Sequence, residues 1–276
     1  MLRLIPTTLI ALLFCHSSAA AQQKVAAERP TETQLLEGFT KELLLITPGT
    51  GKYPGGKVTL GVDSPADELP KIAVEFQSQF RISRYEVTQE LYRLIMGSNP
   101  SRWKGARNSV EMMTIADAQV FCKKLTEELH QRKLIPADEL VRLPTESEWE
   151  YCCRAGTTTR YSFGDSAVAD GDKAPKASKL DPYAWHTGNA AGNDPPVGAL
   201  KPNPWGLYDI HGYLSEFVMP DPRLSAVPDG TVILRSGSWK DDYSRLTSSS
   251  RKLVPAGTAD DAVGFRCVVA RGSVVP

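Results

Sequence analysis

The run Asp241-Asp242-Tyr243 sets side by side three side chains able to move a proton or meet a hard cation. Together with Glu216 it forms the candidate acid–base set. General acid–base chemistry needs a base within hydrogen-bond reach of its proton, and a further group to hold that base. No His–Asp or paired-carboxylate spacing supplies the further group, so the plain reading of the run is a solvated acidic loop. Trp239 gives the same loop an aromatic surface, and aromatics anchor interfaces. Trp239, Asp241, Asp242 and Tyr243 are therefore the candidate binding residues. Trp103, Trp185, Trp205 and Tyr208 also fall in loops, where large rings either fill the core or line a groove. The four histidines (His16, His130, His186, His211) are scattered and no CxxC spacing occurs, so a zinc site of Cys and His is not expected.

The elements that must position these residues belong to an ordinary globular chain of 276 residues, 41% hydrophobic and 23% charged. Its 32 basic residues balance 32 acidic ones, which leaves no electrostatic footprint for nucleic acid. Glycine (21) and proline (20) are frequent enough to predict a loop-rich fold. Met1–Arg3 is basic, Leu4–Phe14 apolar and Ser18–Ala21 small, the pattern of a signal peptide over 1–21 cleaved before Gln22. Phe14 stands where lipidation of Cys15 would require a small residue. No later segment is long and apolar enough for a membrane span, so the mature chain is expected to be soluble and extracytoplasmic. Its cysteines, Cys122, Cys152, Cys153 and Cys267, allow three disulfide connectivities in an oxidising compartment. Cys152 and Cys153 sit in a helical pattern and read as two buried helix residues.

Residues 22–42 read as a linker and helix, with Thr31–Ile46 passing from helix to strand near Leu43–Ile46. Lys57–Gly61 and Ile72–Phe80 alternate like half-buried strands, with a glycine-rich turn at Pro48–Gly56. Thr88 and Thr114 cap helices running towards Gly97 and Gln131. Thr145 and Glu148 form a capping box for a helix that Gly156 ends. From Thr157 to Cys267 the spacing predicts only short strands and long loops. The expected fold class is α+β in one irregular domain over 43–272.

Six stretches carry a resemblance in the right order: SRYEVTQELYRLIMGSNPSRW (83–103), IADAQVFCKKL (115–125), RLPTESEWEYCCRAG (142–156), PVGALKPNPWGLYDIHGYLSEF (196–217), RSGSWK (235–240) and GFRCVVA (264–270). They resemble the sulfatase-modifying-factor, or formylglycine-generating enzyme, family. That resemblance implies a coil-rich, C-type-lectin-like fold with two or three helices and small twisted sheets. It implies a disulfide between Cys122 and Cys267, and a second whose partner for Cys153 is here Arg251. It also implies a calcium loop in which Asp209, Gly212, Leu214 and Glu216 supply oxygens, as a hard ion requires. Tyr213 replaces the usual Asn there, and a second calcium loop near Asn189–Asn193 is shortened. The family's oxidases hold one copper ion on two cysteines after the GS-aromatic turn. Those positions are Asp241 and Leu246, and neither offers the thiolate that soft Cu(I) prefers, so no copper is expected.

Fold alone does not fix function, since one fold hosts catalysts and binders. Cysteine-free, signal-bearing members of the family include an accessory protein of type VI secretion that acts upstream of a membrane-spanning threonine kinase. The resemblance thus implies a non-catalytic periplasmic protein that binds a protein partner in the cell envelope, with the periplasmic region of such a kinase as the partner it points to. The alternatives it leaves open are a periplasmic oxidoreductase maturing a siderophore-type chromophore and, less in keeping with the missing cysteines, a sulfatase activator.

Overall fold

The computed structural model describes residues 29–63, 68–191, 194–224 and 226–272. The expected signal peptide and the first part of the expected linker lie outside the described residues. The chain divides at Thr31 into two units, and every described helix and strand belongs to the second. Its α-helices are α1 (Glu32–Lys41), α2 (Gln89–Met96), α3 (Ile115–Gln131) and α4 (Glu146–Arg154). Three of them start at a reciprocal capping box, Thr31 with Gln34, Thr114 with Asp117 and Thr145 with Glu148. Each box satisfies two backbone N–H groups that the first helical turn leaves unpaired. Among the described residues no helix is long and apolar enough to cross a membrane.

One antiparallel sheet orders β1 (Leu43–Ile46), β4 (Phe80–Ser83), β12 (Val268–Arg271) and β5 (Glu139–Arg142), so the first and last strands share a layer. A second orders β10 (Arg251–Pro255), β8 (Thr231–Arg235), β7 (Ser215–Val218) and β11 (Val263–Gly264), the last pair parallel. Two ribbons, β2 (Lys57–Leu60) with β3 (Ile72–Glu75) and β6 (Gly212–Tyr213) with β9 (Gly237–Ser238), complete the strands. The run expected as one strand over Ile72–Phe80 is thus two: Ile72–Glu75 pairs with β2, while Phe80 begins β4 in the four-stranded sheet. Alternation alone does not show which edge a residue will meet.

Leu36 and Phe39 of α1 join Leu91, Phe121, Leu125, Phe217 and Phe265 in one core cluster. Trp149, Cys152, Cys153, Trp205 and Val268 belong to a second. Cys152 and Cys153 are fully buried, as the helical pattern predicts. Cys122 on α3 and Cys267 beside β12 stand with their sulfurs 4.0 Å apart as two thiols. Burial, with Cys122 beside it, holds the Cys267 thiol well above its ordinary value, so it supplies little thiolate once folded. Refolding in a glutathione redox buffer is therefore expected to close the bond, whereas brief oxidant treatment of the reduced, folded protein is not. The bond would close a loop of 145 residues and is expected to add about 5 kcal/mol through the entropy it removes from the unfolded chain. Non-reducing peptide mapping and melting of wild type against Cys122→Ser check both statements.

Candidate functional site

The acidic loop is built on two close backbone approaches. A Cβ on Gly237 would lie 2.6 Å from Leu246 Cδ1, and one on Gly212 would lie 2.3 Å from Leu246 Cδ2. The missing side chains let the Leu246 isobutyl group fill the gap between β6 and β9, where it is fully buried. Asp241 closes the turn after β9: its Oδ2 accepts from the Ser238 N–H at 2.8 Å and the Ser238 hydroxyl at 2.6 Å. Asp242 caps a 3-10 turn over Tyr243–Arg245 by accepting from Ser244 N at 3.0 Å. Tyr243 presents its carbonyl to the Tyr161 hydroxyl at 3.0 Å. Trp239 donates from Nε1 to the Asp261 carbonyl at 3.1 Å. The candidate binding residues therefore share one loop, but both carboxylates serve its turns.

Glu216 does not join them as the acid–base set would require. It is fully buried on β7, where its carboxylate accepts from Arg266 at 2.7–3.0 Å and from Trp149 Nε1 at 2.9 Å. This bears directly on the calcium expectation. The Asp209 Oδ2 takes the Gly198 N–H at 2.7 Å, and the Gly212 carbonyl takes the Trp185 N–H at 2.8 Å. A cation at Asp209, Gly212, Leu214 and Glu216 would have to displace the Arg266 guanidinium, so these oxygens, so arranged, do not fit calcium. Among the described residues no group of three or more His, Cys, Asp or Glu is placed to hold a metal ion. Melting temperatures in millimolar calcium and in chelator are expected to coincide.

Three carboxylates share this interior with one arginine. Glu86 accepts from Leu214 N at 3.1 Å and pairs closely with the Ser109 hydroxyl. Burial, then the neighbouring Glu216 and Asp209, push Glu86 well above the usual carboxylate range. Burial also pushes Asp209 up to about 6, against the pull of the Gly198 N–H and Arg266. Beside them, burial lowers His211 to about 4. The His211 Nδ1 lies 3.1 Å from the Leu246 carbonyl, while Nε2 accepts from Ser162 N at 3.2 Å. That pattern is a neutral ring with its proton on Nδ1, tying the 157–162 loop to the Leu246 loop.

A cavity of ≈ 570 Å³ opens beside Asp241, its wall including Glu68, Ser236, Arg245, Arg251 and Lys252. Beneath it Arg235 donates to Glu146 at 3.0 Å and Glu150 at 2.7 Å, Arg154 to Glu150 at 2.7 Å, and Arg251 to Glu146 at 2.7 Å. Sequence reading missed this network. Its visible signal was the stripe Glu146, Glu150, Arg154 at four-residue spacing on a helix, normally a solvated face. Here every residue of that helix is buried.

The model of the Sulfatase-modifying factor enzyme 1-like domain matches residues 41–271. The Chaperone protein LppX of Paenibacillus barcinonensis is 28% identical over 206 residues, covering 59% of this chain and 70% of that protein. The Serine/threonine-protein kinase pkn1 of Chlamydia caviae is 30% identical over 141 residues, 46% of this chain but only 20% of the kinase. The solved structure of Treponema denticola variable protein 1 superposes with a TM-score of 0.67 at 24% identity, covering 83% of this chain and 95% of that one. With a mixed α+β fold, the ordered motifs and a domain match over most of its length, the chain belongs to the sulfatase-modifying factor enzyme 1-like (formylglycine-generating enzyme-like) family.

Proposed function

We propose that this chain is a non-catalytic, periplasmic member of its family that regulates a protein partner in the cell envelope by binding it. The observation that carries the reading is the state of the two positions where the family's oxidases place cysteines. Asp241 closes a turn on Ser238, and Leu246 is packed between two glycines with no accessible surface. The four described cysteines are all buried thiols, and burial raises Cys152 and Cys153 well above their usual range. A soft metal ion therefore finds no thiolate pair in the loop.

Within that reading, the partner we favour is the periplasmic region of a membrane-spanning threonine kinase controlling type VI secretion, as for the TagR-type accessory protein. Support comes from the kinase-named relative that shares this domain. A relative named as a chaperone also favours binding over catalysis. Trp239 with Lys240 over its ring at 5.3 Å, and the half-exposed Trp103 under Arg102, offer aromatic–cation surfaces suited to an interface. In-cell crosslinking of the tagged mature protein, followed by mass spectrometry, is expected to recover an envelope kinase or secretion component. Recovery of nothing above a mock-tag control would overturn the proposal. Conversion of a sulfatase peptide's cysteine to formylglycine by the copper-treated protein would overturn its non-catalytic part.

A further inference from the structure

We draw no further inference here: the strongest candidate, the surface patch of Trp103, Met112 and Trp239 around the Asp260–Asp261 turn, carries none, because its cations Arg102 and Lys240 are already paired with those two aspartates and nothing in the structure shows what covers it.

Discussion

Replacing Arg266 with methionine is expected to lower the melting temperature by about 10 °C at neutral pH and by much less near pH 5. The guanidinium is fully buried and donates to both oxygens of Glu216 and to the carbonyls of Tyr208 (2.9 Å), Arg84 (3.2 Å) and Ser83 (3.3 Å). It is also the positive charge that faces Glu86 and Asp209, and both oppose its deprotonation. Removing one member of a buried ion pair leaves the other uncompensated and costs about 3–5 kcal/mol. For a domain of this size each kcal/mol corresponds to roughly 2–4 °C. Acid relieves the part of the cost that falls on Asp209, which burial pushes up to about 6 and which needs no cation once protonated. Arg266→Lys is expected to fall between the two, since an ammonium keeps the charge but loses the fork. Thermal melts at the two pH values decide the matter: an equal loss at both would assign the effect to packing instead of charge.

Asp209→Asn and His211→Gln are expected to tilt the pH dependence of stability in opposite directions. Asp209 rises from 3.8 to about 6 in the folded state. Its contribution is therefore full below its unfolded value and is lost as pH rises through about 6. His211 falls from 6.5 to about 4. Its contribution is present above its unfolded value and is lost as pH falls through about 4. Each shift corresponds to about 3 kcal/mol, and over the same window the two nearly cancel. Glu86, raised in the same sense as Asp209, adds to the side favouring acid. Asp209→Asn removes part of that side, so the variant is expected to lose stability steeply from about pH 6.5 to pH 4. Asparagine also tolerates the left-handed backbone at position 209, where φ is 58. His211→Gln removes the opposing side, and its stability is expected to rise over the same acidification. Urea midpoints across that window provide the measurement, and parallel curves for the two variants would refute the assignment.

The local features of this fold were legible because local chemistry makes them. Thr31, Thr114 and Thr145 mark helix starts through bonds to residues three positions on, and those bonds form wherever the helix is placed. The absence of long helices after Thr157 follows from glycine and proline spacing, and the only helical piece described there is the short turn at Tyr243–Arg245. The break between β3 and β4 was not legible, because both halves alternate and only the partner strand separates them.

The site divides along the same line. The sequence by itself determined that Trp239, Asp241, Asp242 and Tyr243 share a loop, and that Asp241 and Leu246 cannot supply a thiolate pair. Both statements concern neighbours along the chain or the elements present in a side chain. Only the tertiary structure decided that Glu216 meets Arg266, 50 residues away, and so leaves the acid–base set. It alone placed Glu146, Glu150 and Arg154, spaced like a solvated helix face, under a cavity against Arg235 and Arg251. Charge is a property of a residue, but whether that charge meets water, a counter-charge or an orphaned donor depends on which distant segments pack over it.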